Sequence, residues 1–525
     1  MSASPRLAGA VGSAMVRGVT LMNSRCFVFT LLFAAASALA PLRAAEVPRP
    51  NFIVINIDDM GYADIEPFGS KLNRTPHLSR LAAEGMKLTS FYAAPVCSPS
   101  RASLMTGCYP KRALPIPHVL FPAGAVGLHP NERTVAEVLK DAGYATGCIG
   151  KWHLGDQPEF LPTRQGFDYF FGLPYSNDMG PAADGAKSDL GAKLPEPKTG
   201  ATATGGAETG VTGAGQPPLP LMENEKVIAR VRQDEQQEIV ERYTKATVKF
   251  LRDHRDKRFF LYLPHTAVHF PLYPGKAFVG KSGNGLYGDW VEEVDWSIGQ
   301  VLTTLRELKL DRNTLVLFTT DNGGTQRAVN TPLRGNKSTT WEGGMRVPTI
   351  AWWPGQIPAG TSSGAIAGMM DVLPTFAKLG GGKVPSDRKI DGLDLWPVLS
   401  GKVQDSGREA FYYFRGPVLE AVRSGPWKLH LVTRGGPTGP KAKQSKDTGE
   451  KPPILHNLDT DIGETKNVAA ANSEIVKRLQ ALVAKMDADL GTEKFGPNSR
   501  PLGRVENPQP LIGHDGKIRA GFEPK

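Results

Sequence analysis

Residues 51–57 read Asn-Phe-Ile-Val-Ile-Asn-Ile, a run of β-branched and aromatic side chains with no regular polar alternation. A strand wet on one face alternates apolar with polar, so this run predicts a strand covered on both faces. Residues 314–320, Thr-Leu-Val-Leu-Phe-Thr-Thr, have the same character, and 259–263 and 349–353 are further candidates. Between them lie helical patterns over 76–84, 134–142, 237–252 and 290–308. Strands alternating with helices predict an α/β fold built on a parallel, doubly wound sheet.

From about residue 405 the pattern shortens. Residues 411–414, 420–423 and 427–432 are brief strand candidates, and 472–490 is an amphipathic helix, which predicts a small antiparallel sheet with a terminal helix. Residues 183–218 hold Gly, Ala, Thr, Pro and Lys with almost no large apolar side chain, and read as a flexible surface insertion. The lysine-rich stretch 435–453 reads as a solvated loop, and the chain after Gly491 as an extended tail. The expected organisation is therefore a signal region (1–45), a large α/β domain (46–404), a small α+β subdomain (405–490) and a tail (491–525). No internal repeat is visible.

Composition narrows the class. With 40% hydrophobic residues in 525, wholesale disorder is excluded. Arg25 is followed by an apolar core over 26–40 closed by small residues, the form of a secretory signal. The expectation is export to a periplasmic or extracellular space. No apolar run after residue 45 is long enough to span a bilayer. The formal charge is +10, of which Arg6, Arg17, Arg25 and Arg43 fall in the signal region. The remaining weak basicity, with no nucleic-acid motif, points away from nucleic-acid binding. Once Cys26 leaves with the signal, Cys97, Cys108 and Cys148 remain, too few for a disulfide scaffold. One can be special while the other two pair or stay buried.

Two strands end in acids. The first runs into Asp58-Asp59 and the 314–320 strand into Asp321-Asn322-Gly323-Gly324. In open α/β sheets the ligand crevice lies at the carboxyl ends of strands. Three carboxylates and an amide oxygen are hard donors suited to Ca²⁺ or Mg²⁺ rather than Zn²⁺. Neighbouring strand residues point to opposite faces, so Asp58 and Asp59 can share an ion only if the backbone turns there.

Residues 95–107 read Pro-Val-Cys-Ser-Pro-Ser-Arg-Ala-Ser-Leu-Met-Thr-Gly. Ser98 is expected as N-cap, Pro99 as the first helical residue and Gly107 as the stop. Cys97 then precedes a helix amino terminus, where the local field favours an anion, and Arg101 follows within a turn.

This segment resembles the signature of the type I sulfatases, in which the motif cysteine is oxidised to Cα-formylglycine. Other segments resemble the same family in order: Asn56 to Gly61, Gly150-Lys151-Trp152-His153-Leu154-Gly155, Thr266 to Pro271 around His269, Thr320 to Gly324, and Gly335 to Gly344 around Lys337. Pro174-Tyr175-Ser176-Asn177-Asp178 resembles the arylsulfatase A subgroup, with Ser176 as a secondary substrate contact. His269 is preferred to His265 for the catalytic histidine because it precedes the aromatic–Pro pair. His118, His129, His430, His456 and His514 lack such context and are read as structural or surface residues. Asn73-Arg74-Thr75 and Asn336-Lys337-Ser338 are glycosylation sequons by pattern, the second discounted because it overlaps the Lys337 segment.

The resemblance implies an alkaline-phosphatase-like fold, a large, mostly parallel mixed sheet sandwiched by helices. It also implies a sulfuric ester hydrolase with a divalent cation held by Asp58, Asp59, Asp321, Asn322 and an oxygen on residue 97. Cleaving a sulfate monoester needs a cation, positive donors, a strong nucleophile and a proton donor. By resemblance the nucleophile is the hydrated formylglycine at Cys97, held by Arg101. Lys151 and Lys337 cradle the sulfate, His269, assisted by Lys337, protonates the leaving alcohol, and His153 takes the proton that lets sulfate leave. Lys151 and His153, two apart, would face the same way on an extended segment. The implied partners are a sulfate-ester substrate, with aryl sulfates in vitro and sulfated carbohydrates in nature, and a formylglycine-generating enzyme during maturation. Loops at 111–130 and 183–220 are expected to shape substrate choice. The alternatives are a phosphonate monoester or phosphodiester hydrolase of the same superfamily, and an inactive sulfated-glycan-binding protein.

Overall fold

Asn51–Ile57 is a strand with every residue buried, and both its neighbours run parallel to it, Phe259–Pro264 on one side and Thr314–Thr320 on the other. The computed structural model describes residues 49–195, 208, 210–211, 215–431 and 453–524. The signal region and nearly all of 435–453 lie outside them. Among the described residues the main sheet runs Thr361–Ser363, Met86–Tyr92, Arg346–Trp352, Thr314–Thr320, Asn51–Ile57, Phe259–Pro264, Ala145–Ile149, Tyr169–Gly172, Pro220–Glu223, Lys226–Arg230, with Ala367–Gly368 also paired to Met86–Tyr92. Its centre is parallel, while Arg346–Trp352 and the Pro220–Arg230 hairpin pair antiparallel, making it mixed rather than purely doubly wound.

The alternation of the central strand separates two helical layers. Ile53, Ile55 and Ile57 join a core with Leu78 and Leu81, Ile239 and Tyr243, and Trp290, Val294 and Ile298, from helices Pro76–Glu84, Ile239–Asp253 and Gly285–Glu307. On the other face Phe52 stacks on Phe376 of helix Val372–Gly380 with ring centroids 4.4 Å apart. Each such fully buried side chain contributes roughly 1.5–3 kcal/mol relative to an exposed one. Helix Val135–Asp141 starts with a capping box: Glu137 N–H donates to Thr134 Oγ1 (3.1 Å) and Thr134 N–H to Glu137 Oε2 (2.8 Å), worth about 1 kcal/mol.

The C-terminal region forms its own antiparallel sheet, Phe411–Arg415, Val418–Ser424, Trp427–His430 and Ile454–Asn457. Val422, Leu429 and Leu455 pack on Val476, Leu479 and Leu482 of helix Ser473–Leu490. Tyr413, Leu419 and Ala421 pack on Tyr92, Tyr109 and Met345 of the main unit. The tail is not merely extended: Gly503–Arg504 pairs with Val126–Gly127, and Leu511 and Ile512 are buried.

The insertion expected at 183–218 is corrected in its described first part. Asp184 is buried and accepts from Arg230 Nε and Nη2, both at 2.8 Å, and Asp189 Oδ1 accepts the Leu272 N–H at 2.8 Å. Polar side chains bonding backbone and arginine groups order this segment where apolar packing is scarce. Cys97, Cys108 and Cys148 are all free and buried, so the latter two stay unpaired. Asn73 is buried, with Nδ2 donating to the Asp64 carbonyl at 2.9 Å, which removes it as a glycan acceptor. No described helix is long and apolar enough to cross a membrane.

Candidate active site

The carboxyl ends of four adjacent parallel strands deliver most of the site. In spatial order, Thr314–Thr320 leads to Asp321-Asn322, Asn51–Ile57 to Asp58-Asp59, Phe259–Pro264 to the His269 loop, and Ala145–Ile149 to Lys151 and His153. The turn that the acid pair requires is present, since Asp59 has φ +64°. The backbone of Asp58 is locked to the His269 loop on both sides, its N–H donating to Ala267 O (3.0 Å) and its carbonyl accepting from Val268 N (2.8 Å). His153 (φ +65°) and Ser338 (φ +71°) are also left-handed. Such conformations in non-glycine residues cost energy and cluster at functional sites. His153 therefore reaches the Lys151 environment by this turn, not by simple strand alternation.

Cys97 enters on a separate element. Helix Cys97–Thr106 begins two residues earlier than expected: extended Val96 is the N-cap, and Gly107 ends the helix at φ +71°. Ser98 does not cap, because its Oγ accepts the Leu120 N–H at 3.2 Å. Ser100 instead ties the first turn to Ala94, accepting its N–H at 2.8 Å and donating to its carbonyl at 3.1 Å. All ten residues of this helix are buried.

Oxygen, nitrogen and sulfur atoms of Asp58, Asp59, Cys97 and His269 lie within 4.8 Å of one another. Cys97 Sγ is 3.5 Å from Asp58 Oδ1 and 3.6 Å from Lys337 Nζ. Lys337 Nζ is 2.7 Å from Asp59 Oδ1, and Lys151 Nζ bonds Asp58 Oδ2 and donates to Ser176 Oγ at 3.1 Å. Arg101, wholly buried, donates from Nε and Nη2 to Asp321 Oδ2 at 3.0 and 2.7 Å. It thus reaches the acids of both strands, with Asp58 Oδ2 also 3.4 Å from Nη2. Its Nη1 donates to the Lys151 carbonyl. Asn322 Nδ2 donates to Asp59 Oδ1 at 2.7 Å, while its own Oδ1 is buried with no partner. All eleven residues singled out from the sequence therefore meet in one place.

Three carboxylates face three permanent cations in a dry setting, where charges must pair to be tolerated. Burial would raise the Asp58 carboxyl, but Lys151, with His269, Arg101 and Lys337, holds it well below the usual range. Burial and the neighbouring Asp58 push Asp321 up. The Cys97 thiol is pushed up by burial and by Asp321 and Asp58, which keeps it protonated and unreactive as a thiolate nucleophile. An acceptor orphaned beside hard oxygen donors fits a divalent cation of the Ca²⁺ or Mg²⁺ kind, and an oxygen at residue 97 would suit it better than sulfur.

The two histidines present different nitrogens. His153 Nε2 lies 2.9 Å from the Leu120 carbonyl, which can only accept, so Nε2 carries the hydrogen. Nδ1 is left as a buried lone pair without a partner. Burial, then Lys151 and Arg101, hold this ring well below its usual pKa, hence neutral. His269 is the reverse. Its Nδ1 lies 2.6 Å from the Phe270 carbonyl and 3.3 Å from Ser176 Oγ, and Nε2 stands 3.6 Å from Asp59 Oδ2. His265 is excluded from this cluster: it is buried near Ser297 and Tyr243 and held neutral by burial, at about 3. The sequence reading passed over Asp178, whose Oδ1 is 4.0 Å from His269 Nδ1. The signal was its place in the Ser176 segment.

Comparison with known proteins agrees. The sulfatase family profile matches residues 50–382, and that of the C-terminal region of aryl-sulfatase matches 406–501. Arylsulfatase A of Homo sapiens is 37% identical over 506 residues, covering 91% of this chain and 94% of its own. N-acetylgalactosamine-6-sulfatase of Mus musculus is 38% identical over 432 residues, covering 78% and 77%. Among solved structures, the PsFucS1 sulfatase from Pseudoalteromonas sp. superposes with a TM-score of 0.73 at 26% identity, covering 90% of this chain and 96% of its own. With its large mixed sheet, its separate antiparallel C-terminal sheet and relatives that match along most of their length, the chain belongs to the sulfatase family and is a sulfuric ester hydrolase.

Proposed function

We propose that this exported sulfatase hydrolyses sulfate monoesters with residue 97 carried as Cα-formylglycine and one divalent cation, Ca²⁺ or alternatively Mg²⁺. The cation is held by Asp58, Asp59, Asp321, Asn322 and an oxygen of residue 97. The observation that carries this reading is the orphaned Asn322 Oδ1, on a side chain bonded to Asp59, beside the Asp58, Asp59, Cys97 and His269 cluster. Hydrated formylglycine and the cation supply a nucleophilic hydroxyl, positive charge for the sulfate oxygens, and a second hydroxyl through which sulfate is expelled as the aldehyde returns.

The remaining work falls to side chains. Lys151 and Lys337 bind sulfate oxygens, each pre-positioned by a carboxylate. Arg101 steadies residue 97 and offsets the charge of Asp321. His269, protonated on both nitrogens with Nδ1–H on the Phe270 carbonyl and Nε2 beside Asp59, gives its Nε2 proton to the departing alcohol oxygen, assisted by Lys337. His153 Nδ1, the free lone pair, takes the proton whose loss releases sulfate. The natural substrates are sulfated carbohydrates, in keeping with the sugar in the name of the N-acetylgalactosamine-6-sulfatase relatives, and aryl sulfates serve in vitro.

Mass analysis of the residue-97 peptide, metal content, and parallel turnover of matched aryl sulfate and aryl phosphonate esters test this reading. An aldehyde at 97, one cation per chain lost in Asp321→Ala, and preference for sulfate are expected. An unmodified cysteine in fully active enzyme, or full occupancy in Asp321→Ala, refutes it.

A further inference from the structure

The loop that carries Lys337 is gripped from two sides. Its first half bonds the α/β unit beside the acids and the nucleophile position: Lys337 N–H donates to Gly324 O at 3.0 Å and Ser338 N–H to Pro95 O at 2.8 Å. Its second half is held by the C-terminal sheet. Lys428 Nζ donates to the Thr340 carbonyl at 2.9 Å and lies 2.9 Å from both Glu342 Oε1 and Glu464 Oε1. An ammonium has three hydrogens, and these three acceptors use all of them. The side chains of Lys428, Glu342 and Glu464 have no solvent exposure.

Each neighbour adds to the grip. Glu342 N–H donates to Glu464 Oε2 at 2.7 Å, Thr340 Oγ1 donates to Glu420 Oε2 at 2.8 Å, and the Trp341 ring lies 4.2 Å from that of His430. A lysine that only neutralised buried acids would need no bond to a loop carbonyl. Here one of the three bonds goes to the backbone three residues beyond Lys337.

We propose that Lys428, aligned by Glu464, is a positioning residue for Lys337, so that the C-terminal subdomain fixes the register of the active-site lysine. This rests on the role given to Lys337 in the proposed function. Lys337 Nζ stands 2.7 Å from Asp59 and 3.6 Å from Cys97 Sγ. A displacement of about 1 Å in such a group costs on the order of 10²-fold in rate.

The test is a double-mutant cycle on the full-length, metal-loaded enzyme with residue 97 verified as aldehyde. Lys428→Met is combined with Lys337→Ala and read on sulfate esters of poor and activated leaving groups. Lys428→Met is expected to lower kcat roughly 10- to 100-fold at little change in KM, with the same leaving-group dependence as Lys337→Ala. Added to Lys337→Ala, it is expected to cost no further activity. Should Lys428→Met fail to fold, Glu464→Gln keeps the shape and an acceptor, and is expected to lower kcat about 10-fold in the same non-additive way. Additive losses, or a leaving-group dependence unlike that of Lys337→Ala, would overturn the positioning role and leave only a structural one. Unchanged turnover in Lys337→Ala would refute the role of Lys337, and the positioning proposal with it.

Discussion

Two buried charge clusters lie close together in this protein, and they are built to opposite standards. Around Glu342, the junction with the C-terminal sheet satisfies its carboxylates: Lys428, Tyr92 and Tyr413 donate to them, and Arg346 and Arg423 stand within 3.3 and 4.0 Å. Around Cys97, equally dry, Asn322 Oδ1 and His153 Nδ1 have no partner. A buried unsatisfied polar atom costs about 1–3 kcal/mol, so a fold tolerates it where something else is meant to complete it. Charge and burial are therefore shared by both clusters, and unfinished hydrogen bonding separates the reacting one from the holding one.

Changes in the two clusters are expected to separate in the same way. Cys97→Ala removes the proposed nucleophile and is expected to lower turnover on the order of 10⁴-fold or more while thermal unfolding without added cation stays as in the parent. Residual activity near normal would place the nucleophile elsewhere. His269→Ala is expected to slow esters of weakly acidic alcohols about 10³-fold and activated aryl esters far less, because little proton donation is then needed. Equal losses across leaving groups would remove it as the acid. Glu342→Gln, on the junction side, is expected to cost about 3 kcal/mol in unfolding free energy by denaturant titration, since it leaves buried cations short of a partner. Its metal content and the state of residue 97 are expected to stay unchanged. The smallest effect concerns the ion alone: at about 100 times its Kd, a bound cation adds about 2.7 kcal/mol of stability. The melting temperature of the parent and of Glu342→Gln is then expected to rise with Ca²⁺, and that of Asp321→Ala to stay put. A rise in Asp321→Ala would locate the ion outside the acid cluster.

Much of the fold was legible because its central strands are unbroken apolar runs. Asn51–Ile57, Thr314–Thr320 and Pro76–Glu84 came out with the boundaries expected of them. Met86–Tyr92 was missed because its apolar run is broken by Lys87, Thr89 and Ser90, and Ala145–Ile149 because Gly147 interrupts it. Gly147 is there for packing, since a Cβ would fall 2.7 Å from the Phe250 ring. The helix start at Cys97 lies two residues before the expected one because the preference of Ser for N-caps was overridden by Leu120, whose N–H donates to the Ser98 hydroxyl.

By itself, the sequence determined which donor types the chain carries and how they are spaced. Donor types and their spacing lie within short contiguous segments, so acids at strand ends, the Cys97–Arg101 spacing and the Lys151/His153 and Lys337 segments could be read without coordinates. Only the tertiary structure decided which atom of each group is available. The free nitrogen of His153 is set by a carbonyl 33 positions away in the chain, and the Glu342–Lys428 contact that secures the Lys337 loop joins residues 86 apart. Hydrogen-bond satisfaction is a property of three-dimensional neighbours, and no local pattern of residues records it.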